Sequence, residues 1–79
     1  MFPTISIRSP APSEAFAVRR LAYLDSQRPL RGEVLAAFED GEAVAAIALA
    51  DGRIVADPFL ATAAVVELLR MRVALPVAA

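Results

Sequence analysis

Val34-Leu35-Ala36-Ala37-Phe38-Glu39-Asp40-Gly41-Glu42-Ala43-Val44-Ala45-Ala46-Ile47-Ala48-Leu49-Ala50-Asp51-Gly52-Arg53-Ile54-Val55-Ala56 is the stretch whose reading decides the fold. Two Asp-Gly pairs cut it into three short apolar runs. Asp-Gly between apolar runs is a strong local signal for a tight hairpin, because Gly accepts the positive φ of a primed turn. Strands are predicted over 33–39, 42–50 and 53–56, joined as an antiparallel meander. The first two runs carry apolar residues on both faces, whereas a sheet covered on one side would alternate with polar residues. Both faces are therefore expected to be covered, by helices or by a second copy of the chain.

Upstream, Thr4-Ile5-Ser6-Ile7-Arg8 alternates with period two, which predicts a short strand over 4–8. Pro10 and Pro12 end it, since neither can sit in a central strand. Pro12 suits the first turn of a helix predicted over 12–25. Its apolar stripe is Ala17, Val18, Leu21 and Leu24, with Ala15 and Ala22 at the edges. Downstream, Asp57-Pro58 has the order of an N-cap and first helical residue, with Phe59 as a staple. A last helix is predicted over 60–73, stopped by Pro76. The expectation is one α+β domain: strand, helix, three-stranded meander, helix.

Composition narrows the chemistry. The chain has 79 residues, net charge −1, no histidine and no cysteine, and all its basic residues are arginines. Disulfides are excluded, and the usual imidazole and thiolate metal ligands are missing. Neither a metal nor a cofactor is expected. The charges are scattered, with no basic face for nucleic acid. The longest apolar run, Ala43–Ala50, falls far short of the ~20 residues of a membrane span, and Met1–Arg8 lacks the pattern of a signal peptide. The expected setting is the cytoplasm. Alanine abundance with arginine as the only base suggests a GC-rich bacterial genome.

The order of these elements, with Val18-Arg19-Arg20-Leu21-Ala22-Tyr23-Leu24-Asp25 closing the first helix and Val34–Ala46 forming a hairpin, resembles the N-terminal half of the GCN5-related (GNAT) N-acetyltransferases over roughly residues 4–56. The resemblance implies the front half of an acetyltransferase-like fold. That family holds the acyl-CoA pyrophosphate in a Gln/Arg-x-x-Gly-x-Gly/Ala loop opening a helix. Here the matching segment is Ala56-Asp57-Pro58-Phe59-Leu60-Ala61-Thr62. It has no glycine, its Asp57 repels phosphate and its Pro58 lacks a donor. No catalytic or cofactor residue carries over.

Arg8, Arg19 and Arg20 are candidates for an anion or a partner carboxylate, against the simpler reading of solvated charges. Asp51, Asp57 and Glu67 read as turn, cap and helix surface. Without His, Cys or Lys the nucleophiles are hydroxyls with no usual base to activate them, so catalysis is not expected. Phe16 and Tyr23, seven apart, share an outer stripe of the first helix; they are either an interface or part of a wider core. Val65, Leu68, Leu69 and Met71 spread over more than one face of the last helix, which a homodimer would cover. The function expected from the sequence is a non-catalytic, acetyltransferase-like mini-domain acting by protein–protein contact, as a homodimer that supplies the core a half-fold lacks. The alternatives are a composite acyl-CoA-dependent N-acetyltransferase or small-ligand binder completed by a second chain, and a regulatory fragment that binds a full-length acetyltransferase.

Overall fold

The computed structural model describes residues 4–74. Strand β1 (Ile5–Arg8) leads through a 3₁₀ turn (Pro12–Glu14) into helix α1 (Ala15–Leu24). Strands β2 (Val34–Glu39), β3 (Glu42–Ala48) and β4 (Ile54–Ala56) follow, then helix α2 (Ala63–Ala74). The four strands form one antiparallel sheet in the order β1-β2-β3-β4. The fold is α+β, as the period-two and helical patterns require. The expected stop at Pro76 lies outside the described residues.

Each face of the sheet has its own helix. Val18, Leu21 and Ala22 of α1 pack on Ala36, Phe38, Ala46 and Val55. Val65 and Leu69 of α2 pack on Ala37, Val44, Ala45 and Ile47 on the opposite face. This explains why neither face of β2 or β3 is polar. Of the two covers expected, helices or a second copy, the chain's own helices are the ones that pack on both faces.

The alanine pattern of β3 conceals a bulge. Phe38 pairs with Ala43 and Ala37 with Ala45, which leaves Val44 as the extra residue. Val44 and Ala45 consequently both serve the α2 core, while Ala43 and Ala46 serve the α1 core. One inserted residue flips the side-chain parity of everything after it.

Asp40-Gly41 forms the expected tight turn, with φ of 52° and 87°. Both values lie in the left-handed region that a type I′ hairpin needs. Asp51-Gly52 belongs instead to a longer loop. The Gly52 N–H reaches back to the Ala48 carbonyl (2.9 Å), and the Ala48 N–H donates to the Arg53 carbonyl (2.9 Å). That helical-type turn consumes Leu49 and Ala50, so β3 stops at Ala48 rather than at residue 50.

The last helix begins later than expected. The Asp57 carboxylate accepts the Phe59 N–H (2.9 Å), an Asx turn rather than a helix cap. The first α-type bond of α2 runs from the Val66 N–H to the Thr62 carbonyl (2.8 Å). Phe59 is 81% exposed and staples nothing.

Candidate interaction surface

The end of α1 sets the geometry of one sheet edge. Ser26 takes a φ of 53°. The Gln27 N–H then bonds to the Ala22 carbonyl (2.8 Å) and the Ser26 N–H to the Tyr23 carbonyl (3.1 Å). This is a Schellman closure with serine in the place usually held by glycine. It directs Asp25 and Gln27 onto β4. The Gln27 Nε2 donates to the Ile54 carbonyl (3.1 Å) and to Asp25 Oδ2 (2.9 Å). The same Asp25 oxygen accepts the Ala56 N–H (3.1 Å). Ile54 and Ala56 are the β4 residues whose backbone groups face away from β3, because Arg53 and Asp57 bond inward to Ala48 and Val44. Two side chains therefore occupy the outer edge of β4.

Arg8 is committed within the chain. Its guanidinium grips the Glu14 carboxylate through Nη1 (2.6 Å) and Nη2 (2.9 Å) and lies 4.0 Å from the centre of the Phe38 ring. Within the chain, the carboxylate that meets Arg8 is that of Glu14. Glu14 also accepts the Ala11 N–H (2.7 Å), half of a capping box whose other half alanine cannot supply. The Arg8 hydrogen bonds first, then the Ala11 amide, lower the Glu14 pKa to about 2. The same contact raises that of Arg8.

The remaining charged candidates do structural work or face solvent. Asp51 accepts the Arg53 N–H (3.0 Å), and Glu67 pairs with Arg70 (2.9 Å) on the exposed side of α2. Arg20 is exposed; Arg19 borders an open groove of ≈ 500 Å³ between α1 and the loop before β2, with Glu33 also on its wall and Val18 and Val34 in its lining. Among the described residues no three His, Cys, Asp or Glu side chains come close enough to hold a metal ion. No described helix is long and apolar enough to cross a membrane.

The apolar candidates divide. Phe16 and Tyr23 are 77% and 83% exposed, so they lie outside the α1 core stripe rather than widening it. Leu68 and Met71 are also exposed. Val65 and Leu69, expected at an interface, are instead buried against the sheet, and Leu69 is fully enclosed. They stand four apart, the spacing that places one stripe of a helix on a flat surface. Phe59, expected to staple the last helix, and Leu60 and Ile5 are exposed apolar residues that the sequence did not single out as surface; for Phe59 and Leu60 the missed signal was the Asx turn, which keeps them out of the helix.

Fold and surface together define a small α+β domain with a helix on each face of a four-stranded antiparallel sheet and apolar side chains left on the outside of both helices. No family model, curated protein or solved structure matches the chain.

Proposed function

We propose that this chain is a non-catalytic interaction domain that acts by protein–protein contact and pairs with a second copy of itself. The observation that carries this is the set of large apolar side chains left outside once each helix has covered its face of the sheet: Phe16 and Tyr23 on α1, Leu68 and Met71 on α2. Exposed aromatic residues are the type that anchors protein interfaces. The chemistry points the same way. The chain has no His, Cys or Lys to act as base or activated nucleophile. In the connection where the resembled family binds pyrophosphate, the Asp57 carboxylate already takes the Phe59 amide, which favours the interaction role over a composite acyl-CoA enzyme. An acetyltransferase-like ancestry, a bacterial source and a cytoplasmic setting fit this proposal and belong to it.

Light scattering and sedimentation on the full chain at micromolar concentration test the proposal, with a dimer mass expected. A folded monomer that stays monomeric at high concentration would refute self-association. Heat on titrating millimolar acetyl-CoA would favour the composite enzyme instead.

A further inference from the structure

The two edges of the sheet are treated differently. Asp25 and Gln27 close β4, as described above. Among the described residues β1 has no such cover. The Asp40 N–H bonds to the Thr4 carbonyl (2.9 Å), and the register continues through Ser6↔Phe38 and Arg8↔Ala36. Bonded and non-bonded pairs alternate along an antiparallel ladder. Ile5 and Ile7 therefore turn their N–H and C=O groups away from β2. Among the described residues no hydrogen bond reaches these groups.

Natural sheets guard such an edge with proline, a bulge or an outward charge. Ile5–Arg8 contains no proline, and its register with β2 is unbroken. Its one charge, Arg8, is turned onto Phe38 and Glu14. One edge is closed by dedicated side chains and the other is left ready to pair.

We propose that two copies of the chain join β1 to β1, antiparallel about a two-fold axis at Ser6, to make one continuous eight-stranded sheet from two four-stranded ones. This rests on the self-association proposed above but places the seam at the β1 edge, which leaves Phe16, Tyr23, Leu68 and Met71 outside it for other protein contacts. The frame is self-complementary. With the axis at Ser6, Ile5 of each copy lies opposite Ile7 of the other, and these are the residues whose backbone groups point outward. The side chains agree with the register. Ile7 packs on the α2 core, and Ile5, two residues along the same face, is 40% exposed. Pairing sets Ile5 against Ile7 of the second copy, a favourable cross-strand contact. Thr4 falls opposite Arg8 and Ser6 opposite Ser6, so no like charges meet. The exposed faces of α1 and α2 offer apolar area but no comparable directional match.

The test uses the full chain, which has no cysteine of its own. Ser6 is exposed, and central non-bonded antiparallel pairs have Cα atoms about 4.5 Å apart, within disulfide reach. Ser6→Cys should therefore form a disulfide-linked dimer under mild oxidation, while Tyr23→Cys and Leu68→Cys should not. Ile5→Pro removes an outward N–H without touching the ladder to β2. It should weaken the dimer by about tenfold or more, with an unchanged far-UV circular dichroism spectrum. Ile5→Lys, which sets like charges on the seam and keeps the backbone intact, should do the same. A dimer that survives both Ile5 substitutions, or that cross-links through Tyr23→Cys or Leu68→Cys and not through Ser6→Cys, overturns edge pairing but leaves self-association standing. A native chain that is monomeric by mass overturns both.

Discussion

Removing the Asp25 carboxylate should destabilise the fold and open a sheet edge at the same time. Asp25 Oδ2 accepts both the Ala56 N–H (3.1 Å) and the Gln27 Nε2 (2.9 Å), and all three residues are half-buried. Hydrogen bonds to a charged group contribute about 1.5–3 kcal/mol each, and a stranded buried donor costs about 1–3 kcal/mol. Partial access of water to this site offsets some of that, so Asp25→Ala should lose about 2–3 kcal/mol in total. For a domain of this length each kcal/mol lowers the melting temperature by about 4–8 °C. The amide oxygen of Asp25→Asn can still accept from both donors, so its loss should stay below about 1 kcal/mol. Urea unfolding followed by far-UV circular dichroism measures both, at matched protein concentration because self-association shifts apparent stability. Asp25→Ala should also raise light scattering, since the Ala56 N–H loses its acceptor and becomes free to pair with another chain. Equal midpoints for Asp25→Ala and Asp25→Asn would refute the account of β4 as an edge closed by hydrogen bonding.

Leu69→Ala should cost about 2–5 kcal/mol, since Leu69 is fully enclosed between α2 and the sheet, whereas Met71→Ala on the outer side of the same helix should change stability by under about 0.5 kcal/mol; equal losses in denaturant would mean the helix packs on a different face. Gly41→Ala should cost about 1–2 kcal/mol from the backbone alone, because Gly41 sits at φ 87° with open space around it, and Gly41→Asn should cost less. The Glu14 pKa lies at about 2 in the folded chain, below its ordinary 4.5, so its pairing with Arg8 and the Ala11 amide stabilises the fold above pH 4.5 and is lost as pH falls towards 2. Melting temperatures recorded between those two pH values should consequently fall less steeply for Glu14→Gln than for the native chain, and parallel curves would remove that ion pair from the acid response.

The parts of this fold legible in the sequence are those set by neighbours in the chain. Asp40-Gly41 gives its turn because the two residues that adopt positive φ supply the signal themselves. The apolar stripe of α1 is legible because i, i+3 and i+4 neighbours share a face, although its centre falls on Val18, Leu21 and Ala22 rather than on Ala17 and Leu24. The β3 bulge left no such trace. In Ala43-Val44-Ala45-Ala46 every residue is apolar, so the doubling of Val44 and Ala45 on one face leaves the pattern unchanged. On α2 the apolar residues surround most of the helix. Their order cannot say that the sheet takes Val65 and Leu69 and leaves Leu68 and Met71 outside. Asp57-Pro58 offered a helix start; the Asp57 carboxylate instead takes the Phe59 N–H in an Asx turn, while the Asp57 N–H extends the β4 ladder to the Val44 carbonyl (3.0 Å).

The edges were the least legible feature, and they bear most directly on function. Asp25-Ser26-Gln27 has the composition of any loop that ends a helix. Its role depends on a strand 27 to 31 residues further along the chain, and local pattern cannot carry information over that distance. The same limit applies to β1, whose four residues look like an ordinary strand until the register shows which backbone groups face outward. The contrast between the edges is physical rather than incidental. A three-residue strand such as β4 has few hydrogen bonds to offer a partner, yet two of its outward groups, the Ile54 carbonyl and the Ala56 N–H, are taken by Gln27 and Asp25. The longer β1, with isoleucines beside each outward group, has the stronger intrinsic tendency to pair and, among the described residues, lacks such side-chain cover. Closing the weaker edge while leaving the stronger one open limits the number of ways copies can join. With one pairing edge per chain, an isologous contact closes on itself as a pair, whereas two open edges would permit an unending sheet.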